Sequence, residues 1–342
     1  MTRAECHRAV TPETKRILER FFVNSLWYGF TGTPIFKENG YERKGDLPQT
    51  TEELYGKLLH SYTIKEAIHD EAVLGFMVET LGHKDKDTDE SVYEDKKHMR
   101  SVLDVILNQS YTKFGMEKGK GRSYEAILTV KSIAIAQKYY ELLNEIKQEN
   151  DELKICEKVK KALPDFPKFA ITYSVSENEE ASKVNQDKMQ KSLDDYNQMF
   201  GTSYKVEGIS AYNANLNDRL ARKEKRYLER SQQLDIVIVV NRLLTGFDAP
   251  CLSTIFIDRQ PMKPQEIIQA FSRTNRLFDD TKQYGQVVTF QSPDEFKEAI
   301  DCALRMYSLG GDGETLAEDF EDVKKSFSIS IKAIHGLARK PE

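Results

Sequence analysis

Five short apolar runs that alternate with helical stretches constrain the fold of this chain more than any other feature. The runs lie at residues 126–130, 169–175, 235–240, 254–257 and 287–290. Each run is almost continuously apolar, which is typical of a strand buried on both faces. The stretches between them are long enough for crossover helices. The pattern predicts an α/β domain with a parallel sheet that is covered by helices on both faces.

The composition is that of an ordinary globular protein. Hydrophobic residues make up 39% and charged residues 31% of 342 positions, enough for two domains, each with its own core. No apolar run approaches the roughly 20 residues of a membrane helix, and the first residues do not form a signal peptide. We therefore expect a cytoplasmic protein without a membrane partner.

Charge and cysteine content exclude several other classes. The net charge is -5, so any contact with nucleic acid must come from a local groove and not from the whole surface. The four cysteines lie far apart without a CxxC pair, at Cys6, Cys156, Cys251 and Cys302. This spacing indicates neither a disulfide framework nor a zinc site, and we predict no metal site built from protein ligands.

The first block begins with a helix and continues into a strand. Thr11-Pro12 predicts a helix start, with Ile17, Leu18, Phe21 and Phe22 on one face. Leu26–Phe30 predicts a short buried strand that ends in the loop Thr31-Gly32-Thr33-Pro34. Further on, Thr63 and Glu66 form the pattern of a capping box for another short helix.

The middle and the end of the chain are less regular. Residues 80–122 carry dense charge and a Gly/Lys-rich loop, which favours a linker or insertion. Ser292 to Glu295 predicts a second capping box with Pro293 at the first helical position. The apolar stripe of that helix consists of Phe296, Ile300, Ala303, Leu304 and Tyr307. A further amphipathic segment over residues 314–337 ends the sequence.

Two arginines are the most specific chemical signal. Arg273 and Arg276 stand three residues apart on a helix that we expect to begin near Pro264. At this spacing they share a helix face and can reach the same anion, and a planar guanidinium suits a transferring phosphate. They are candidates for arginine fingers. Taken alone, a solvated helix face with two arginines would be the commoner explanation.

A loop some 25 residues earlier supports the chemical reading. Leu243-Leu244-Thr245-Gly246-Phe247-Asp248-Ala249-Pro250 directly follows the predicted strand at 236–240. Ligands of open parallel sheets bind outside the carboxyl ends of the strands, and Gly246 permits close approach of a phosphate or ribose. A simple tight turn would explain this loop alone. It would not explain why Thr31–Pro34, Leu244–Pro250 and Gln269–Arg276 occur in this order along the chain.

These three segments carry a resemblance to a known family. Thr31–Pro34, Leu244–Pro250 and Gln269–Arg276 resemble motifs III, V and VI of superfamily 2 helicases, and Ala126–Leu143 resembles motif IV. The strings GFTGTPIF, LLTGFDAP and QAFSRTNR are similar to those of type I restriction enzyme R subunits. The resemblance extends over nearly the whole chain to about Phe290.

The resemblance implies a fold and a domain division. It implies RecA-like P-loop NTPase helicase lobes with a parallel sheet, ATP between them and duplex DNA across their upper surface. Residues 1–79 would be the C-terminal part of the first lobe, 80–123 a linker or insertion and 124–291 the complete second lobe. Residues 292–342 would begin a helical C-terminal domain.

The resemblance also implies roles at the nucleotide. Arg273 and Arg276 would contact the γ-phosphate as catalytic residues. Gly246, Asp248 and Gln269 would line the nucleotide and the interface between lobes. ATP with Mg²⁺ would be the cofactor of the complete protein.

A second group of residues would couple hydrolysis to DNA. Thr31, Gly32 and Thr33 would link hydrolysis to lobe movement. Thr245 and the loop after Val130 would contact DNA phosphates through hydroxyl and backbone groups.

The first residues depart from the family pattern. Ala4-Glu5-Cys6-His7-Arg8 aligns with the DECHR form of the DEAH box, with alanine in place of the aspartate that would hold Mg²⁺. Glu5 would position the attacking water where a metal is present. The sequence contains no GxxxxGK[ST] phosphate loop. We expect the chain to begin inside motif II of a larger protein and to be inactive alone.

The predicted function follows from this resemblance. The parent protein would use ATP to translocate double-stranded DNA before endonucleolytic cleavage, with modification (methyltransferase) and specificity subunits as partners. Two alternatives remain open: another superfamily 2 translocase of the type III restriction or repair class, and a non-catalytic scaffold fragment.

Other polar features receive ordinary interpretations. The basic segment from Arg219 to Arg230 has interleaved glutamates, which favours an exposed helix over a dedicated DNA patch. Five histidines have no partner at metal-ligand spacing: His60, His69, His83, His98 and His335.

Overall fold

The computed structural model describes Cys6 and residues 10–82, 90–119, 121–173 and 179–308. The predicted roles of Ala4 and Glu5 and the predicted helix over 314–337 lie outside these residues. Within the described part, no helix is both long enough and apolar enough to cross a membrane.

One six-stranded parallel sheet forms the centre of the molecule. Its strands are β1 (Gly75–Thr80), β2 (Glu125–Val130), β3 (Phe169–Thr172), β4 (Ile236–Val239), β5 (Leu252–Asp258) and β6 (Tyr284–Thr289). The order across the sheet is β1-β6-β5-β2-β4-β3, and neighbouring strands are parallel. Every residue of β2, β3, β4 and β5 is buried, as strands covered on both faces require. The predicted α/β class and parallel sheet are confirmed.

The strand order places a topological switch at the centre of the sheet. From β2 the chain goes to β3 at the far edge and returns to β4, between β3 and β2; it then crosses to β5 on the other side of β2. The carboxyl ends of β4 and β5 therefore flank the end of β2. Open α/β sheets bind ligands at such a point.

Helices pack against the strands on both sides of the centre of the sheet. They are α1 (Pro12–Phe21), α2 (Thr51–Tyr55), α3 (Ile64–His69), α4 (Lys96–Asp104), α5 (Ile133–Lys147), α6 (Glu157–Ala162), α7 (Glu179–Phe200), α8 (Ile209–Leu220), α9 (Pro264–Phe271) and α10 (Pro293–Tyr307). Helix α5 contacts β2, β3 and β4. Helices α9 and α10 pack on each other and contact β6 and β1, respectively.

The predicted helix starts are only partly correct. The capping box of Thr63 and Glu66 is present, and Thr11 accepts a hydrogen bond from the amide of Thr14. The box predicted for Ser292 is wrong. Ser292 has a left-handed backbone with φ of 43°, and its hydroxyl contacts Gln260 Oε1 at 3.3 Å instead of capping α10. The five predicted stripe residues of α10 are nevertheless all buried.

The segment predicted as a linker or insertion belongs to the core of the sheet domain. In α4 and the π-helical turn that continues it to Gln109, the side chains of Met99, Val102, Leu103, Ile106 and Leu107 are buried. They recur at the i, i+3, i+4, i+7 spacing of an amphipathic helix. The charged residues form the outer face of this helix.

Strand β1 was not predicted, and it lies inside the range assigned to the first lobe. It pairs with β6 along its whole length, from Gly75 with Tyr284 to Thr80 with Thr289. As an edge strand it is partly exposed, so its sequence mixes polar and apolar residues and lacks the signal of a buried strand. The sheet therefore begins before residue 79.

The strand predicted at 26–30 is wrong. These residues form no ladder, and Leu26, Tyr28 and Phe30 are 76%, 51% and 55% exposed. Ile17 and Phe21 of α1 and Phe22 directly after it are likewise exposed, so the predicted apolar face has no partner in the described part. An apolar run forms a buried strand where other strands cover it, and none of the described strands does so here.

The segment from Pro34 to Asn39 contacts α9 and α10 of the sheet domain. Asn39 Nδ2 donates to Gln265 Oε1 and Tyr307 Oη at 3.0 Å each. Tyr307 Oη donates to the carbonyl of Pro34 at 3.1 Å, and its ring lies 5.6 Å from that of Phe36. The Thr31–Pro34 loop is thereby held against the sheet domain.

Candidate functional site

The loop between β4 and β5 has two exposed positions between buried apolar residues. Leu243, Leu244, Phe247 and Ala249 are buried, whereas Gly246 is exposed and the Asp248 side chain is 67% exposed. Gly246 has φ of +67°, and a Cβ placed there would meet no atom within 4 Å. The glycine therefore serves the backbone conformation and leaves open space beside the loop.

Both arginines lie close to this loop, but not on a helix. Helix α9 ends at Phe271, so the predicted shared helix face of Arg273 and Arg276 is wrong. The turn after the helix is fixed by Thr274, whose buried hydroxyl donates to the carbonyl of Phe271. The helix therefore ends after its buried apolar residues and before Arg273.

The two guanidinium groups contact neighbouring residues of the β4–β5 loop. Arg273 donates from Nε to the carbonyl of Gln269 at 3.0 Å and from a terminal nitrogen to the carbonyl of Phe247. Arg276 Nε donates to Asp248 Oδ1 at 2.8 Å. The two arginines therefore contact the two residues that follow Gly246 in the loop.

Gln269 connects this group to the first block. It is 3% exposed, and its Nε2 donates to Thr33 Oγ1 at 2.6 Å. The amide of Thr33 in turn donates to Thr31 Oγ1 at 3.1 Å. A Cβ placed at Gly32 would meet no atom within 4 Å. A chain of contacts therefore runs from the Thr31–Pro34 loop through α9 to the arginines.

Thr245 lies at a small cavity on the same side. The cavity has a volume of about 120 Å³ and is lined by Asn241, Leu244, Thr245, Met262, Glu266 and Gln269. The structure thus brings together every predicted site residue except Glu5, which lies outside the described residues. In the described part, no three His, Cys, Asp or Glu side chains form a group that could hold a metal.

Lys282 is a site residue that the sequence analysis missed. Its Nζ donates to the carbonyls of Pro250 at 2.7 Å and Arg276 at 2.8 Å, and the residue is 4% exposed. It therefore joins the end of the β4–β5 loop to the segment that carries the arginines. The surrounding sequence DDTKQYG is polar and gave no signal of a buried lysine.

Burial lowers the pKa of Lys282 to about 8. An unfolded lysine keeps its proton to about pH 10.4, so between these values the unfolded chain binds more protons and stability rises with pH. A neutral amine still has two N–H donors for its two carbonyl acceptors.

We expect the free energy of unfolding of the native chain to increase, relative to that of Lys282→Met, by on the order of 2 kcal/mol between about pH 7.5 and 9.5. Urea unfolding of both proteins across this range measures the difference. Parallel pH profiles would show that Lys282 is not the buried titrating group.

His98 has a carboxylate partner. Its Nε2 lies 2.7 Å from Asp258 Oδ1, at the end of β5, and Asp258 also accepts hydrogen bonds from Tyr139 and Gln291. The Asp258 side chain has no exposed surface. The group ties α4 and α5 to the tip of β5, and the long sequence separation of its members hides it from sequence analysis.

The basic segment from Arg219 to Arg230 is not an exposed helix. Helix α8 ends at Leu220, and 3₁₀ turns follow at Lys225–Leu228 and Arg230–Gln232. Arg219 is 2% exposed and lies 3.6 Å over the Phe200 ring. Arg222 and Arg230 form ion pairs with Glu125 and Asp235. These arginines are consequently structural and are not available to DNA.

Comparison with known proteins identifies relatives over the whole chain. The model of type I restriction enzyme subunit R domain 3 matches residues 122–292, and the SWI2/SNF2 ATPase model matches residues 2–108. A type I restriction enzyme endonuclease subunit of Staphylococcus aureus strain MRSA252 is 31% identical over 98% of this chain and 35% of its own length. A corresponding subunit of Staphylococcus saprophyticus is 30% identical over 99% and 35%.

A solved structure supports the fold. A fragment described as an HsdR subunit of a type I restriction enzyme from Vibrio vulnificus YJ016 superposes with a TM-score of 0.52 at 16% identity, covering 93% of this chain and 47% of the fragment. The chain spans about a third of the length of its curated relatives.

Proposed function

The chain belongs to the family of type I restriction enzyme R subunits, and from this premise we propose that it forms the second-lobe side of an ATP-driven motor that translocates double-stranded DNA. In the complete protein, translocation would precede endonucleolytic cleavage. The modification and specificity subunits of the restriction complex would be its partners.

One observation carries this proposal: Arg273 and Arg276 both contact the loop of Gly246. Their anchors, Phe247 and Asp248, are adjacent in the chain. Two guanidinium groups that converge beside an open glycine form a surface suited to a phosphate group. Bound ATP would supply the transferable γ-phosphoryl group whose developing charge these arginines stabilise.

Arg276 is held in place by Asp248 but has further hydrogen-bond donors that Asp248 does not use. Its ion pair with Asp248 uses Nε, so the remaining guanidinium donors of Arg276 are free of that carboxylate. The side chains of Arg276 and Asp248 are 36% and 67% exposed. Exposed ion pairs contribute about 0–1 kcal/mol to stability. Asp248 therefore orients Arg276, and breaking this pair so that Arg276 can move costs little.

The hydrogen bond between Gln269 and Thr33 would transmit changes at the nucleotide. Gln269 makes both contacts: its side-chain amide donates to Thr33, and its backbone carbonyl accepts a hydrogen bond from Arg273. A shift of the arginines toward a phosphate would therefore move Gln269 and, through its hydrogen bond, Thr33 and the Thr31–Pro34 loop. We assign this path to the coupling of hydrolysis to lobe movement.

The residues present fit one side of a nucleotide. The arginine pair and Gly246 suit the γ-phosphate, whereas the sequence contains no GxxxxGK[ST] loop to cradle the remaining phosphates. Asp248 and Gln269 would line the cleft. Glu5 would position the attacking water beside Mg²⁺ in the complete site.

The isolated chain is expected to show no DNA-stimulated ATP hydrolysis above background, because its sequence contains no GxxxxGK[ST] loop to bind the remaining phosphates. Phosphate release with and without duplex DNA measures this. A full-length staphylococcal relative, assayed in parallel, is the positive control. Sustained turnover by the chain alone would refute the proposal that it supplies one side of the site.

A further inference from the structure

Lys282 bridges the backbone of Arg276 and the end of the β4–β5 loop. Its Nζ donates to the carbonyl of Arg276 at 2.8 Å and to that of Pro250 at 2.7 Å. The guanidinium group of Arg276 is bound separately, by Asp248 at 2.8 Å. Arg276 is consequently held at two points, its backbone by Lys282 and its side chain by Asp248.

The burial of Lys282 is unusual for a lysine. The residue is 4% exposed, and within the described ranges its ammonium group forms no ion pair with a carboxylate. Lysine is almost never fully buried unless it is paired, and burial lowers the pKa of Lys282 to about 8. A methionine of similar length would fill the same space without a buried charge. What Lys282 provides and methionine cannot is the fixed position of two carbonyl groups.

The carboxylate of Asp279 fixes the turn from which Lys282 extends. Asp279 Oδ1 accepts hydrogen bonds from the amides of Lys282 at 3.0 Å and Thr281 at 3.1 Å. The hydroxyl of Tyr124 donates to the same oxygen at 2.8 Å, and Lys118 Nζ lies 2.8 Å from Oδ2. The ammonium group of Lys282 therefore extends from a backbone that is itself tied to the rest of the domain.

We propose that Lys282 is a positioning residue for Arg276: it holds the Arg276 backbone against the β4–β5 loop and thereby sets the position of the guanidinium group. The inference rests on the proposed function and adds to it a residue that does not itself contact the nucleotide. A displacement of about 1 Å in a reacting site can lower the rate about a hundredfold. Loss of Lys282 should therefore act on kcat more than on the affinity for ATP.

Lys168 offers a matched control elsewhere in the sheet domain. Its Nζ donates to the carbonyls of Arg230 at 2.9 Å and Ser231 at 3.2 Å, and its side chain is 12% exposed. Lys168 directly precedes β3, which is separated from β6 by β5, β2 and β4. Lys168→Met thus removes two lysine-to-carbonyl contacts of the same kind without a change at Arg276.

The first test measures Arg276 in the chain itself, without nucleotide. The Nε–H group of Arg276, identified by its loss in Arg276→Lys, gives an NMR signal that reports on the hydrogen bond to Asp248. Lys282→Met should shift this signal and speed the exchange of its proton about threefold, because the backbone that carries the side chain is released. Lys168→Met should change neither. An Arg276 signal that is the same in Lys282→Met as in the native chain would overturn the inference.

The second test is a double-mutant cycle on DNA-stimulated ATP hydrolysis. It uses a complete R subunit with lysine and arginine at the positions equivalent to Lys282 and Arg276. Lys282→Met should lower kcat by about tenfold to a hundredfold and change the KM for ATP by less than about twofold. In the Arg276→Ala background the same substitution should have almost no further effect, because a residue that acts through Arg276 has nothing left to position.

A merely structural role would give a different pattern. The loss of kcat would then persist in full after Arg276 has been replaced, or Lys168→Met would lower kcat as much as Lys282→Met does. Either result would exclude Lys282 as a positioning residue. Lys282→Gln keeps two N–H donors without a charge, so it should lose less activity than the methionine variant. It takes the place of Lys282→Met in the cycle if that variant does not fold.

The two tests separate this inference from the proposed function. ATP turnover that does not depend on Arg276 would contradict the proposed function, whereas a shifted Arg276 signal would still show that Lys282 sets its position. An unchanged signal would remove Lys282 from the site and leave the role of Arg276 at the nucleotide intact.

Discussion

ATP turnover by a complete R subunit should fall by roughly three orders of magnitude when the residue equivalent to Arg276 is replaced by alanine. Arg276 is fixed beside Gly246 by its hydrogen bond to Asp248. A guanidinium in this position would stabilise charge that develops on the phosphoryl group in the transition state, which is why its loss would act on kcat. Steady-state ATPase measurements with saturating duplex DNA give the effect.

Three variants sharpen this experiment. A lysine at the same position keeps the charge but not the planar fork, so it should restore little activity. Asp248→Asn retains a hydrogen-bond acceptor for Arg276, and we expect a much smaller loss. The equivalent of exposed Arg226 serves as the neutral control. DNA binding should survive in all three, and native turnover in the alanine variant would exclude Arg276 from the mechanism.

The part of the fold that sequence predicts best is the part that is buried symmetrically. All five predicted apolar runs coincide with strands, because a strand covered on both faces must be apolar at almost every position. Edge strand β1 escapes the same reasoning, since its outer side meets solvent. Helix α4 was hidden for a different reason: its charged face dominates a composition-based reading although its apolar stripe is regular.

The opposite failure occurred at residues 26–30. This run has the composition of a buried strand, yet in the structure Leu26, Tyr28 and Phe30 are exposed. A local sequence specifies what a segment can become, but a strand also needs neighbours that supply hydrogen bonds and cover its faces. The described residues provide none at this place.

The candidate site divides along similar lines. Motif spacing predicted which loops meet, because loops at the carboxyl ends of neighbouring parallel strands must converge. It did not predict the buried Lys282 or the pairing of Asp258 with His98. Their roles depend on burial and on partners far away in the sequence, such as the Pro250 carbonyl for Lys282. Such partnerships carry no local pattern.

Loss of the buried ion pair at the amino edge should have the largest effect on stability. The side chains of Arg222 and Glu125 are 5% and 0% exposed, and Arg222 also donates to the carbonyl of Ser123 at 2.6 Å. Arg222→Met would leave Glu125 buried without its partner, which costs about 3–5 kcal/mol. Urea unfolding at about pH 9, where Glu125 of the native chain is ionised, measures the loss. The double variant Arg222→Met/Glu125→Leu should recover most of it, because no unpaired charge remains.

The pH dependence of Arg222→Met distinguishes charge burial from lost packing. Burial already raises the pKa of Glu125 to about 7 in the native chain, although Arg222 opposes the shift. A carboxyl whose pKa is raised on folding adds stability below its unfolded pKa and loses it as pH rises through the folded value. Removing Arg222 raises the folded pKa further, so the variant should recover stability relative to the native chain as pH falls from about 9 to 7, and the two profiles should run parallel below about pH 7, where Glu125 is protonated in both folded proteins. A deficit that stays constant over this range would mean that Arg222 acts by packing, and the ion pair would then not be what holds the amino edge together.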